Sequence, residues 1–254
     1  MKKLNVSIVT YHHTPQFLER VISSVLKNQE VLNELIIVDH SSTDALRILE
    51  TKYPLRYIHP GTNHGYGAGH NIALKRTIEK EVPYHLVLNP DMEFGEAALA
   101  RLAKYMDEHD ETVMIMPKIV YPDGRPQEVA RFIPSSFDLF ARRFMPPLAK
   151  ILRGSFSLPE RPSFIPVLSG CFMFLRVSTV AKVGLFDERY FMYMEDVDLC
   201  RRMASLGENI YFPEVSVIHD FQKASYKNKK FLKYHVQSAI NYFNKWGWFF
   251  DRYR

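Results

Sequence analysis

The chain has 254 residues, 46% of them hydrophobic and 24% charged, with a net charge of +5 at neutral pH. That composition suits a globular α/β domain with a sizeable core and excludes disordered, collagen-like and coiled-coil classes. Two cysteines, Cys171 and Cys200, are too few for a disulfide framework and read as buried thiols in a reducing compartment. The chain opens on basic residues, but the apolar stretch behind them is too short for a signal peptide. No window approaches the roughly 20 apolar residues needed to span a bilayer. The expected location is cytoplasmic.

Residues 4–10 form a short apolar run with β-branched side chains, read as a first strand. Thr14-Pro15 supplies a cap and a first helical position, after which Phe17, Leu18, Val21, Ile22, Val25 and Leu26 recur with helical period. Leu35-Ile36-Ile37-Val38 reads as a buried strand ending at Asp39. A helix is expected over 44–51, a strand over 55–59, a glycine-rich loop over 61–69 and a helix over 68–80. A strand over 84–88 then runs directly into Asn89-Pro90-Asp91. Strand and helix alternating in this order predict an α/β fold, a mostly parallel sheet covered on both faces. Ligands of such sheets lie beyond the carboxyl ends of the strands, where Thr10, Asp39 and Asp91 all fall.

After about residue 116 proline and arginine become frequent, and Tyr121-Pro122-Asp123-Gly124 reads as a turn between short strands. Residues 130–166 show no clear periodicity and read as a long loop or short helices. Order returns with the apolar run 167–175, which contains Ser169-Gly170-Cys171, and a helix over 195–206 stopped by Gly207. A helical, aromatic tail is expected over 231–250, with Tyr234, Tyr242, Phe243, Trp246, Phe249 and Phe250. Two basic clusters stand out: Arg142, Arg143, Lys150, Arg153 and Arg161, then Lys223, Lys227, Lys229, Lys230 and Lys233. They suit anionic lipid, phosphorylated acceptors or nucleic acid, or are simply solvated surface.

Two acidic features carry the chemistry. Asp91, just past a buried strand in a proline turn, is placed to hold a hard divalent cation; taken alone, it reads first as a turn residue capping a helix near Gly95. Glu195-Asp196-Val197-Asp198 follows the aromatic stretch Phe191-Met192-Tyr193-Met194. Acids in a first helical turn are stabilised by the helix dipole, while aromatic surroundings raise a carboxyl pKa and make a competent general base. Asp198 can pair with Arg201 or Arg202 along the helix, so it reads as structural. The loop 63–71 has Gly-x-Gly-x-Gly spacing after the third strand and is not a dinucleotide fingerprint. His219 ends a short strand and reads as a core histidine or a further metal ligand, and adjacent His12 and His13 point apart, which argues against a zinc site.

Taken together, several motifs resemble the family 2 inverting glycosyltransferases of GT-A fold. They are Val6-Ser7-Ile8-Val9-Thr10-Tyr11, Ile36-Ile37-Val38-Asp39-His40-Ser41-Ser42-Thr43-Asp44, Asn63-x-Gly65-Tyr66-Gly67 with Asn71, and Leu88-Asn89-Pro90-Asp91. Ser169-Gly170-Cys171-Phe172-Met173, the stretch 183–188, the stretch 191–199 and His219 look like the rhamnosyltransferase-like branch. The resemblance covers residues 4–220 and implies a catalytic domain over 1–220, with a nucleotide-sugar half (1–116) and an acceptor half (117–220), followed by an aromatic and basic helical tail (221–254). It implies that Thr10, Tyr11, Asp39, Gly67, Asn71, Asn89 and Asp91 line the nucleotide-sugar site and that Gly170 lines the acceptor side. Asp196 would be the catalytic base with Glu195 beside it. Asp91, with His219, would hold Mn²⁺ or Mg²⁺, Asn89 standing where the DxD-type motif has its first Asp. His40 and His70 stand where Asn is more usual, which bears on nucleotide contacts.

The expected function is inverting transfer of a sugar, rhamnose in the first instance, from a nucleotide-diphosphate sugar to a glycan or lipid-linked acceptor in surface polysaccharide synthesis. A catalytically silent nucleotide-sugar or glycan-binding module is the alternative. A sugar nucleotidyltransferase is further off, because residues 10–15 lack a glycine-rich basic loop. Nucleic acid is not an expected partner. The tail reads as a peripheral membrane contact, a homodimer interface, or part of the domain's own core.

Overall fold

The computed structural model describes residues 2–137, 139, 145, 157–220 and 229–248. Strand β1 (Leu4–Thr10) leads to helix α1 (Pro15–Leu26), β2 (Leu32–Asp39), a 3₁₀ turn and short α2 (Leu49–Lys52), then β3 (Arg56–Ile58). Next come α3 (Tyr66–Glu79), β4 (Tyr84–Leu88), β5 (Met92–Glu93), α4 (Ala98–Glu108) and β6 (Thr112–Val120). The second half holds β7 (Ala130–Arg131), β8 (Ser163–Phe164), β9 (Val167–Leu168), β10 (Phe172–Arg176), α5 (Val177–Val183), α6 (Glu195–Ala204), β11 (Glu208–His219) and α7 (Lys229–Trp246). The turn expected at Tyr121-Pro122-Asp123-Gly124 forms, closed by Tyr121 N donating to Arg125 O at 2.8 Å. Thr14 caps α1 as expected, its hydroxyl accepting from Phe17 N, with Pro15 next.

The main sheet runs β3-β2-β1-β4-β10-β6-β11-β5, with β8 beside β11. β3, β2, β1 and β4 are mutually parallel, and so are β6 and β11. β10 enters antiparallel between β4 and β6, and this one strand joins the two parallel groups into a single sheet. The parallel strands read as near-continuous apolar runs because helices cover them: Leu4, Val6, Ile8, Leu35, Ile37, Leu86 and Leu88 are fully buried. Polar residues that interrupt the runs find partners below α3. Ser7 Oγ lies 2.6 Å from His70 Nδ1 and 2.8 Å from His85 Nε2, and His85 Nδ1 lies 2.8 Å from Thr77 Oγ1. Burial pushes the His85 imidazole down to about 3, so it stays neutral within this chain of hydrogen bonds.

The tail packs on the domain itself. Tyr242 and Phe243 of α7 are buried with Tyr190, Met194, Val197 and Val167. The buried carboxylate of Asp198 accepts from Arg202 Nε (2.8 Å), Lys245 Nζ (2.7 Å) and Trp246 Nε1 (2.8 Å). The Arg201 guanidinium lies 4.0 Å over the Trp246 ring and donates to Tyr242 Oη at 2.9 Å. The expected helix ion pair is therefore Asp198 with Arg202, whereas Arg201 grips the tail. Of the three sequence readings of the tail, core packing is the one its described residues display. Arg142, Arg143, Lys150 and Arg153 of the first basic cluster lie outside the described residues, as do Lys223, Lys227, Phe249 and Phe250; of Lys229 and Lys230 only the backbone is described. Among the described residues no helix is long and apolar enough to cross a membrane.

Asp198 is fully buried, so each donor it loses leaves charge without compensation. Lys245→Met is expected to lower stability by about 2 kcal/mol, the worth of one hydrogen bond to a charged group, read as a lowered urea midpoint at unchanged m-value. Lys233→Ala, on the exposed side of α7, should stay within about 0.5 kcal/mol of the parent.

Candidate functional site

The C-terminal ends of β1, β2 and β4 converge at one edge of the sheet. His40 N donates to Thr10 O at 2.9 Å, which ties the first two ends together. Asp39 is fully buried and satisfied inside the protein: Oδ1 accepts from Thr10 Oγ1 (3.0 Å) and from Ser41 N and Oγ (3.1 and 2.5 Å), while Oδ2 accepts from Tyr57 Oη (2.8 Å). Burial and the Asp39 charge push the Tyr57 hydroxyl well up, which keeps it a donor. Asp39 thus orders Thr10 and Ser41 rather than presenting an open carboxylate. Tyr11, by contrast, is 49% exposed at the rim. His12 packs edge-on to Tyr11 and His13 stacks on Phe17, so the adjacent histidines diverge as expected.

At the start of α3, close packing explains the glycines. Gly65 has φ +97° and faces the Phe191 backbone, whose carbonyl accepts from Tyr66 N at 2.9 Å. A Cβ on Gly67 would lie 2.8 Å from Phe186 Cβ. Asn71 is committed to the same segment: Nδ2 donates to Phe186 O and Glu188 Oε1, and Oδ1 accepts from Phe186 N. The resemblance placed Gly67 and Asn71 beside the nucleotide sugar; here they brace residues 186–188 from beneath. His70 is buried against Tyr66 and Phe186 and hydrogen-bonded to Ser7, so it belongs to the interior.

Tyr193 and Met194 both have positive φ, +71° and +67°, and turn the chain sharply into α6. That turn delivers Asp196 to Gly170, whose N–H donates to Asp196 Oδ2 at 3.1 Å. Arg131 Nη2 lies 3.4 Å from the same oxygen, and Val197 N donates to Oδ1 at 2.8 Å. Glu195 is buried beside it with Oε2 making no hydrogen bond. Burial, then the neighbouring Asp196 charge, push the Glu195 carboxyl up to about 8. The acidic run is therefore divided, with Asp196 anchored at the site, Glu195 a desolvated neighbour and Asp198 turned toward α7.

One hydroxyl links the two acidic centres. Tyr66 Oη donates to Gly170 O at 2.8 Å and lies 3.0 Å from Asn89 Oδ1 in the turn that carries Asp91. Asn89 N in turn donates to Cys171 O at 2.9 Å. Both Asp91 and Asp196 act electrostatically on Tyr66 and on Cys171, so the two centres flank the same short segment. Burial raises the Cys171 thiol to about 12, which removes it as a nucleophile at neutral pH; both cysteines are buried and free.

At the Asp91 end, Oδ1 is buried without a hydrogen bond and lies 3.3 Å from His219 Nε2. β11 delivers the histidine there, His219 standing in register opposite Met92, and Asp220 N donates to Asp91 O at 3.1 Å. A cavity of about 540 Å³ opens beside Asp91, lined by Phe17, Arg20, Pro90, Asp91, Met92 and Asp220. Among the described residues no three His, Cys, Asp or Glu side chains converge on a cation position. A carboxylate and an imidazole, with room for substrate oxygens, form a donor set that fits Mn²⁺ or Mg²⁺. Sequence reasoning missed Tyr57, Gln127 and Arg131, and assigned no role to Tyr66. Gln127 and Arg131 lie in or beside the stretch without periodicity, where no spacing signal marks them.

The chain is similar to known glycosyltransferases in sequence and in fold. The sequence model of glycosyl transferase family 2 matches residues 6–184. The N-acetylglucosaminyl-diphospho-decaprenol L-rhamnosyltransferase of Mycobacterium tuberculosis H37Rv is 32% identical over 234 residues, which is 85% of this chain and 75% of that protein. The rhamnosyltransferase WbbL of Escherichia coli K12 is 26% identical, covering 92% of this chain and 90% of its own length. Among solved structures, GalNAc-T7 with UDP, GalNAc and Mn²⁺ superposes with a TM-score of 0.69 at 15% identity, over 96% of this chain and 48% of that one. The mannosyltransferase PcManGT of Pyrobaculum calidifontis, in complex with GDP-Man and Mn²⁺, gives 0.61 at 16% identity, over 88% and 58% of the two chains. The α/β architecture is thus the GT-A fold, and the chain belongs to glycosyltransferase family 2.

Proposed function

We propose that the protein transfers a hexosyl group, rhamnose in the first instance, from a nucleotide-diphosphate sugar to a hydroxyl of a glycan or lipid-linked acceptor, with inversion. The observation that carries this reading is the Tyr66 bridge. It sets an oxygen and nitrogen donor pair, Asp91 and His219, on one side of a hydroxyl and the anchored carboxylate of Asp196 on the other. The names of the two rhamnosyltransferase relatives support rhamnose, and the mycobacterial name supports an acceptor on a lipid diphosphate.

In this reading residues 1–116 form the donor half and 117–220 the acceptor half. Thr10 and Tyr11 meet the nucleotide, with Asp39 holding Thr10 in place. A divalent cation at Asp91 and His219 would neutralise charge on the departing diphosphate. Asp196, oriented by Gly170 N and Arg131, takes the proton of the acceptor hydroxyl as that oxygen attacks the anomeric carbon opposite the diphosphate. Burial and the neighbouring Asp196 raise the Glu195 carboxyl to about 8, so Glu195 holds its proton near neutral pH. On the outer side of α7, Val236 and Ile240 are exposed and would be available to a membrane face or a second copy.

Asp196→Asn is expected to lower kcat by about 10²–10⁴-fold while nucleoside diphosphates with Mn²⁺ still raise the melting temperature as they do in the parent. Full transfer activity in that variant would reject the base assignment. A silent binding module would instead show the thermal shift in the parent and no transfer to any acceptor.

Glu195 gives a pH signature of its own. Its folded pKa is raised, so the native state holds a proton that the unfolded chain has released, and stability falls as pH rises from about 4.5 to about 8. Glu195→Gln removes that dependence. The variant should match the parent near pH 4 and melt higher than it at pH 9; equal melting curves across that range would show that Glu195 is not desolvated.

A further inference from the structure

Gln127 is a buried polar residue that the proposed chemistry does not use. Its backbone N donates to Ile119 O at 2.9 Å, which seats it beside the last residues of β6 and β11. Its side chain is only 4% exposed, and both ends of the amide face His219. Nε2 donates to the His219 carbonyl at 2.8 Å and lies 3.5 Å from the Val120 carbonyl, while Oε1 lies 2.9 Å from His219 Nδ1.

These contacts fix the direction of the amide. Carbonyl oxygens only accept, so the NH₂ end must face the two carbonyls and Oε1 must face the imidazole. A carbonyl-type oxygen cannot donate, so Nδ1 must carry the proton. In the neutral ring Nε2 then presents its lone pair, and it is Nε2 that faces Asp91 Oδ1 at 3.3 Å. A lone pair and a carboxylate oxygen held this close repel each other unless a proton or a metal cation lies between them.

We propose that Gln127 is the positioning residue of the cation site. By holding His219 as the Nδ1–H tautomer it aims the Nε2 lone pair, together with Asp91, at one divalent cation. The inference rests on the reading of Asp91 and His219 as cation ligands and adds the group that makes the imidazole a ligand rather than a donor. Without Gln127 the ring can move its proton to Nε2 and donate to Asp91, closing the site by an internal hydrogen bond.

The test uses the full chain with ¹⁵N-labelled histidine at pH 7.5, the His219 signals being identified by their loss in His219→Gln. Long-range ¹⁵N–¹H correlation spectra report which ring nitrogen is protonated, with no metal present. The expected result is Nδ1–H in the parent and Nε2–H in Gln127→Leu. Titration with Mn²⁺ alone should broaden the His219 ring signals in the parent, and Gln127→Leu should need about 10–100-fold more Mn²⁺ for the same broadening. A parent His219 protonated on Nε2 or on both nitrogens, or a Gln127→Leu tautomer unchanged from the parent, overturns the assignment of Gln127. A correct tautomer with no Mn²⁺ broadening in the parent overturns the cation site, and with it this role. The transferase reading is judged apart from both, by Asp196→Asn.

Discussion

Asp196 meets Gly170 because the chain from Phe186 to Met194 is gripped from both sides. On the α3 side, Asn71 binds the backbone at Phe186 through both ends of its amide, and Tyr66 N holds the Phe191 carbonyl. On the α7 side, Ser238 Oγ donates to Met192 O at 2.8 Å, Asn241 Nδ2 to Arg189 O at 3.0 Å, and the Tyr234 ring lies 4.4 Å from that of Phe191. Two successive residues at positive φ cost roughly 1–3 kcal/mol each. They persist because this double grip leaves the loop no relaxed alternative. The acid at the head of α6 is thus aimed by α3 and by the C-terminal helix α7, which are far apart in sequence.

The same grip explains why three acids in four residues coexist. Like charges packed together cannot all ionise unless each has its own compensation. Asp198 has Arg202, Lys245 and Trp246; Asp196 has two backbone N–H groups and Arg131. Glu195 has no such set, and the shared field is relieved by its retaining a proton. Without α7 the Asp198 charge would lose two of its three named donors and would press on its neighbours. The tail is in this sense part of the electrostatics of the acidic run, through its contacts with Asp198.

The strand ends at Thr10, Asp39 and Asp91 were legible because buried parallel strands write themselves as apolar runs, and a polar residue that ends one is conspicuous. Helix α1, with its amphipathic stripe, was legible for the same reason. What could not be read was the direction in which side chains work. Asp39, Gly67 and Asn71 resemble ligand-facing residues in one dimension, yet their polar atoms or missing Cβ atoms serve the protein. Tyr66 carries no periodic or charge signal that sets it apart from other aromatics. Arg131 and Gln127 act across 65 and 92 residues of chain, distances that only the pairing of β6 with β11 and β7 with β9 closes.

The placement of β10 decides how the two acidic centres relate. As the antiparallel strand between β4 and β6, it runs back from the ligand edge of the sheet and so begins there, with Phe172 opposite Leu88. The residues just before it, Gly170 and Cys171, therefore lie beside the residues just after β4, Asn89 to Asp91. Had the strand been parallel, its first residue would have stood at the far edge, and no short segment could have joined the Asp91 turn to the Asp196 anchor. A single reversed strand thus converts two sheet halves, each with its own acid, into one site. Tyr66 occupies the seam because α3 begins at the same edge, where the helix's own first turn has a phenol length to reach both sides.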